Sequence, residues 1–360
     1  MPGYPAELLL VAGEASGDLH GAHLARALLR HLPDLRLTGI GGTHMREAGV
    51  HLLFDITEIS VVGIWEGGKV LGRLWQIYQT LRRRMTTSPC TALILIDFPE
   101  FNLRLARVAQ KQGIPVLYYI APQVWAWRPW RIRTIKRVVD KVFVILPFEP
   151  PFYQRAGVEA EFVGHPLLDQ VQVTVERTTF CRQHQLDPHA PIVGILPGSR
   201  RHEINYMLPI MVRAAQQIRT SMPAVQFLLP LAPTLTPAAV LPHLTPNLGG
   251  MRVLEGETYP VMQVADFLIV ASGTATLEAG LFQTPMVIVY RGHPLSALIA
   301  WFLLRVKHVG LVNLVAGTEV VPELLQFRMT PERITRVTLD YLQHPERLQQ
   351  TREALGKVRA

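Results

Sequence analysis

Two carboxylates stand three residues apart in "IDFPEFN" (96–102), directly after the apolar run "TALILI". Asp97 and Glu100 therefore follow the end of a buried strand, where α/β proteins place ligand-facing groups. One carboxylate at that address suffices to take the proton from an attacking hydroxyl. The plainer reading is that Asp97 caps the helix that follows. A second acidic pair, Glu14 and Asp18, lies in "AGEASGD" (12–18), again between an apolar run and a helical pattern. Small-residue loops of this kind often hold phosphate, but two carboxylates would repel one. They suit the hydroxyls of a sugar. Ser16 reads as the N-cap of the helix, a role Glu14 and Asp18 would also fit.

Phosphate has two better addresses, both in the second half. "LPGSR" (196–200) follows a strand: Gly198 permits a tight turn, Ser199 and Arg200 can donate hydrogen bonds, and Arg201 doubles the charge. A guanidinium grips phosphate with two parallel bonds. "ASGTATLE" (271–278) ends another strand, turns at Ser272 and Gly273, and starts a helix near Thr274 and Ala275. The free N–H groups and positive dipole of a helix start suit a diphosphate. Glu278, one turn on, is placed to accept from two ribose hydroxyls. Each motif alone is common. Both in one domain point to a nucleotide diphosphate, and neither a strict GxGxxG nor a Walker loop offers an alternative.

The elements that must position these loops alternate along the chain, short apolar runs with helical patterns, which predicts parallel sheets. Strands are expected at 7–12, 35–40, 91–97, 115–120 and 141–146, then at 191–196, 225–230, 266–271 and 285–290. Leu19, Ala22, Ala25, Leu28 and Leu29 mark the first helix, which Pro33 ends. With 360 residues the chain is too long for one core. The fold class is α/β, with two doubly wound, Rossmann-like domains (1–164 and 165–340) facing across a cleft, and a helix at 341–360 packing back on the first domain or on a partner subunit.

Composition narrows the function. Two cysteines, Cys90 and Cys181, form neither a disulfide framework nor a zinc spacing. The N-terminus lacks a basic segment before its short apolar run, so no secretory signal is expected, and no apolar stretch is long enough to span a bilayer. A net charge of +8 favours an anionic partner. Nucleic acid is not expected: basic and aromatic residues interleave once, in "WAWRPWRIRTIKR" (125–137), without any recognition signature. In 69–84, Val70, Leu74, Ile77, Tyr78 and Leu81 share a helical face that ends in Arg82, Arg83 and Arg84. It is either an ordinary packed helix or an element for acyl chains and an anionic membrane surface; "LSALIAWFLLRVKH" (295–308) is a second such element. Among the histidines, His20 and His23 read as packed or solvated, while His165 stands at the domain junction before Pro166.

Many stretches then fall into one pattern: "AGEASGD", "GIGG" (39–42), "SVVGIWE" (60–66), "IDFPEFN", "APQVWAW" (121–127), "LPFE" (146–149), "FVGHPLLD" (162–169), "LPGSR", "SGTATLE", "PMVIVYR" (285–291) and "LVNLVAGTEVVPELLQ" (311–326). In this order they resemble the lipid-A-disaccharide synthases. The resemblance implies an inverting glycosyltransferase of the two-domain B type, without metal or other cofactor. It implies transfer of 2,3-diacylglucosamine from UDP to the 6-hydroxyl of 2,3-diacylglucosamine 1-phosphate. It also adds Asn313 and Gln326 to the donor side, and Ser60, Glu66, Asn102, Gln123 and Trp125 to Glu14, Ser16 and Asp18 on the acceptor side. A cytoplasmic enzyme resting on the inner membrane goes with it, and a homodimer is one of the two arrangements that the helical C-terminus allows. Two departures stand out: "DAPDFN" is "DFPEFN" here, and "SPSVWAW" is "APQVWAW", with Ala121 and Gln123 for two serines. The resemblance assigns the base to the second carboxylate, Glu100, with Asp97 orienting the loop. A UDP-N-acetylglucosamine 2-epimerase is the competing enzyme class, and a non-enzymatic peripheral membrane protein the competing binding class.

Overall fold

The structure, a computed structural model, describes residues 6–56, 67–88, 90–127, 129–171, 174–244, 251–292 and 307–359. The chain divides into two compact units, Met1–Pro166 and Leu167–Ala360. The first is built on strands β1 (Glu7–Ala12), β2 (Arg36–Gly41), β3 (His51–Asp55), β4 (Ala92–Ile96), β5 (Val116–Tyr119), β6 (Lys141–Val144) and β7 (Ala160–Phe162). Among the described residues they form one parallel sheet in the order β3-β2-β1-β4-β5-β6-β7. The second has β8 (Ile192–Leu196), β9 (Gln226–Leu231), β10 (Met251–Glu255), β11 (Phe267–Ala271), β12 (Met286–Tyr290) and β13 (Glu323–Leu325), ordered β10-β9-β8-β11-β12-β13 and also parallel. Both sheets are doubly wound.

Every strand expected from the sequence forms, and the structure adds β3, β7, β10 and β13. These four are the sheet edges. The central strands are covered on both faces. In β1, Leu9 and Val11 pack with Leu93, Leu105 and Leu81 on one side, while Leu10 and Ala12 pack with Ala22, Ala25 and Met45 on the other. Burial on two faces requires an unbroken apolar run. The edges carry polar residues such as His51, Glu161 and Arg252 within short runs.

Three expectations change here. The first helix, Ala15–His31, begins one residue before Ser16, so Ser16 lies in its exposed first turn and Glu14 is the N-cap, without a side-chain cap bond. The final helix, Pro345–Arg359, packs into the second unit itself. Its Leu355 is fully buried with Met286, Ile288 and Val312 in the second unit's own core. The helix Gly67–Thr87 turns Ile77 and Leu81 into the core, with Leu74 and Tyr78 packed against them. That stripe is core, not an acyl-chain surface. Arg84 is held by the Glu7 carboxylate at 2.6 Å, whereas Arg82 and Arg83 are exposed. The side chain of Val70, the stretch 295–306, and both Ser60 and Glu66 lie outside the described residues. Among the described residues no helix is long and apolar enough to cross a membrane.

Candidate functional site

In the first sheet the winding reverses between β1 and β4, which are neighbours. Ligands in doubly wound sheets bind outside the strand ends at such a reversal. The loop after β1 brings Gly13 and Glu14 there, and the loop after β4 brings Asp97 to Glu100. The two loops interlock, because the Phe98 ring occupies the space that a Cβ on residue 13 would need. Asp97 and Phe98 are consecutive left-handed residues, at φ 45° and 48°. Such positions are strained for residues other than glycine and persist only when their surroundings hold them. Here the Asp97 carbonyl accepts hydrogen bonds from the Tyr118 hydroxyl and the Asn102 amide, each at 2.7 Å. Pro99 opens the following helix, Pro99–Lys111, and Phe98 rather than Asp97 is its N-cap.

Burial, and then the nearby Glu14 carboxylate, push the Asp97 carboxyl above the ordinary carboxylate range. Glu100 is mostly exposed, and its carboxylate is paired with the Arg131 guanidinium. Asp97, Glu100, Gln123, Arg131 and Glu149 line one cavity of about 500 Å³ in this unit. Glu149, only 2% exposed, accepts from the Trp125 indole N–H at 3.0 Å and from Leu146 N–H at 2.9 Å. Its burial raises its proton affinity, partly offset by those donors.

Two acceptor-side expectations are corrected by burial. Asn102 is fully buried beneath the loops. Its amide N–H group donates to the carbonyls of Val11, Ile96 and Asp97, so it ties the ends of β1 and β4 together. Asp18 is 4% exposed, and its carboxylate accepts from the N–H groups of Gly42 at 2.6 Å, Met45 at 3.0 Å and His44 at 3.1 Å. It caps the short helix Thr43–Glu47 from across the unit. "AGEASGD" and "GIGG" are thus two halves of one internal contact. Glu14 and Ser16 remain exposed at the loop.

The second sheet repeats the arrangement, with its reversal between β8 and β11. "LPGSR" follows β8 and "SGTATLE" follows β11, so both anion motifs reach one reversal. In the first, the Ser199 and Arg200 main-chain N–H groups donate to the Glu203 carboxylate, at 3.0 and 3.3 Å, at the start of the helix Arg201–Ser221. An internal carboxylate therefore occupies donors read as phosphate ligands. The Arg200 side chain, 72% exposed with Glu203 3.5 Å away, and the exposed Ser199 side chain are what that loop offers outward. In the second, Gly273 has φ 157° and ψ −162°, a conformation that needs glycine, with open space where a Cβ would stand. It leads into the helix Thr274–Leu281, whose first N–H groups have no partner within the helix. Glu278 accepts from the Tyr259 hydroxyl at 3.0 Å, and burial raises its proton affinity.

Asn313 is corrected in the same way as Asn102. It is fully buried; its amide donates to Val321 O and Glu323, and its oxygen accepts from Val320 N and Val321 N. Its bonds shape the turn before β13 instead of reaching outward. Gln326 is left-handed at φ 50° and accepts from Gly292 N–H at 3.4 Å. Arg131, Tyr118, Glu149 and Glu203 were not singled out from the sequence. Glu149 had a readable signal, since "LPFE" follows a strand as "DFPE" does. Glu203 had none, because the residue three before it is Arg200 and not the Ser or Thr of a capping box. Tyr118, inside an apolar strand, had none.

The family model of lipid-A-disaccharide synthetase matches residues 8–359. The chain is 47% identical over 352 residues to the lipid-A-disaccharide synthase of Geobacter metallireducens, covering 98% of this chain and 92% of that one. It is 48% identical to that of Geobacter sulfurreducens at the same coverage. Among solved structures, the UDP-GlcNAc 2-epimerase of Neisseria meningitidis bound to UDP-GlcNAc aligns with TM-score 0.65 and 12% identity, over 96% of this chain and 94% of that one. A UDP-glucosyltransferase from Polygonum tinctorium aligns with TM-score 0.62 and 15% identity, over 100% and 94%. Likeness at such identity shows the fold alone, so the epimerase reading has no support beyond architecture. The family model over residues 8–359 and relatives 47–48% identical across 98% of the chain leave one conclusion: the chain belongs to the lipid-A-disaccharide synthetase family.

Proposed function

We propose that the chain transfers 2,3-diacylglucosamine from UDP to the 6-hydroxyl of 2,3-diacylglucosamine 1-phosphate, with Asp97 as the general base. The observation that carries this reading is the state of Asp97: half-buried, proton-avid and fixed at a sheet reversal by Tyr118 and Asn102. The 6-hydroxyl gives its proton to Asp97 as its oxygen bonds to the donor's anomeric carbon. The bond from that carbon to the diphosphate breaks with inversion, and UDP leaves with the electron pair. Arg200 and the start of the Thr274 helix offset the charge that grows on the diphosphate. Glu278, set by Tyr259, takes the ribose. Glu14, Gln123 and Trp125 contact the acceptor sugar. Glu100 is engaged with Arg131, which speaks against its use as the base.

The test is disaccharide and UDP formation by the purified protein at saturating substrates. Asp97→Asn is expected to lower kcat by about 10²–10⁴-fold while UDP affinity holds. Near-normal turnover by Asp97→Asn, with collapse in a folded Glu100→Gln, would return the role to Glu100. We also assign the first unit a membrane-facing role, supported by exposed Trp75 and Trp130, by Arg82 and Arg83, and by the net charge of +8. Binding to anionic vesicles that survives unchanged in Trp75→Ser/Arg82→Gln/Arg83→Gln would remove that patch.

A further inference from the structure

We infer that Arg131 is the seat of the acceptor's phosphomonoester, and that the Glu100 carboxylate occupies this seat while the site is empty. This rests on the proposed transfer, whose acceptor carries a phosphate on the same sugar as the attacking hydroxyl. The charged side chains lining the cavity are Asp97, Glu100, Glu149 and Arg131, so Arg131 is its single cation among the described residues. The three carboxylates are not equivalent. Glu149 is buried and committed to Trp125 and Leu146. Asp97 is proton-avid and held by its own loop. Glu100 alone is mostly exposed, at 58%, and it is the one paired with Arg131.

The asymmetry of the pair decides which partner can leave. The Arg131 side chain is only 18% exposed, fixed at the end of the short turn Pro129–Arg131, whereas the Glu100 side chain is mostly solvated already. An exposed carboxylate exchanges a surface ion pair for water at little loss. A guanidinium in a water-poor wall exchanges one anion for another, and a phosphomonoester offers more charge and more acceptor oxygens than a carboxylate, enough for two parallel bonds. Removing Glu100 from Arg131 also takes a negative charge away from the entering phosphate. Seating the phosphate there anchors one end of the sugar in the cavity that Asp97 also lines. The pair is therefore a specificity element: an acceptor without the phosphate leaves Glu100 on Arg131 and lacks its anchor.

The experiment compares the 1-phosphorylated acceptor with its dephosphorylated analogue at saturating donor, in neutral-detergent micelles so that anionic lipid plays no part. Wild-type protein should favour the phosphorylated acceptor by about 10- to 100-fold in kcat/KM, the range of one charged hydrogen-bonding partner. Arg131→Gln should raise KM for the phosphorylated acceptor by about 10-fold or more and erase the discrimination, with Arg131→Lys restoring part of it. Glu100→Gln should lower KM for the phosphorylated acceptor alone, because the competing carboxylate is gone. Discrimination retained in Arg131→Gln, or an equal loss of kcat with both acceptors, would make Arg131 a strut for the loop and overturn the assignment. Should Arg131→Gln fail to fold, an unchanged acceptor KM in Glu100→Gln overturns it instead. Failure of the parent reading looks different: wild-type protein would then form no disaccharide from either acceptor.

Discussion

The Phe98 ring lies against Gly13, filling the space of the side chain that residue 13 lacks. This contact joins the loop after β1 to the loop after β4 and sets Asp97 beside Glu14. Gly13→Ala would force the ring, and with it the left-handed pair Asp97–Phe98, to move. A displacement of about 1 Å at a reacting group can lower turnover by about 10²-fold. Gly13→Ala should therefore lower kcat by about 10- to 100-fold and leave UDP affinity, measured by calorimetry, unchanged. A kcat within about twofold of wild type would show that the loop absorbs the methyl group.

Asp18 is a structural carboxylate, and stability rather than binding should report its loss. Asp18→Ala leaves three N–H donors of the 42–45 segment without their acceptor. Hydrogen bonds to a charged group are worth about 1.5–3 kcal/mol, so urea denaturation should show a loss of about 3 kcal/mol. Unchanged stability with lost activity would return Asp18 to the ligand side.

The raised proton affinity of Asp97 links activity to stability. Its native carboxyl titrates above its unfolded value of about 3.9, so the native state holds the proton more tightly. Stability is therefore lost as pH rises from about 3.9 through the native value, and the deficit is complete above it. Asp97→Asn should raise the melting temperature at pH 7, with the gain vanishing toward pH 3, and asparagine tolerates the left-handed backbone. In wild-type protein the acid limb of kcat/KM should fall above the ordinary carboxylate range. Equal melting temperatures at pH 7 would refute the linkage.

His165 carries the opposite sign. Burial, and then the neighbouring His20, lower its pKa from 6.5 to about 4. The native state binds fewer protons than the unfolded chain in that window, so stability declines as pH falls from about 6.5 to about 4. Urea midpoints at pH 7.5 and pH 5 should differ less in His165→Gln than in wild type. Equal differences would place the acid sensitivity elsewhere.

Arg200 presents its guanidinium outward because Glu203 holds the backbone beneath it. Arg200→Ala should lower kcat/KM for the UDP-sugar by about 10- to 150-fold. Unchanged UDP affinity and turnover would take Arg200 out of the donor site.

The sequence by itself determined the central strands, because a strand buried on both faces must be written as an unbroken apolar run, as in "LLLVA" and "ALILI". It also determined the loop addresses of Asp97, Glu100, Arg200 and Ser272, since each follows such a run, and the family, through long motifs in order. The edge strands β3, β7, β10 and β13 were not legible, because an edge is short, partly solvated and free to carry His51, Glu161 or Arg252. What each polar residue does was decided only by the tertiary structure. Asp18, Asn102 and Asn313 look like ligand-binding residues in one dimension. In three, each lies under a loop whose backbone groups must be satisfied away from water: the Asp18 carboxylate, the Asn102 amide N–H group and both ends of the Asn313 amide bond to main chain there. Asp97 and Glu100 are indistinguishable as letters; burial made one proton-avid, and the arrival of Arg131 from a distant turn engaged the other. Burial and long-range charge depend on what the fold brings near, and no local run of residues encodes that.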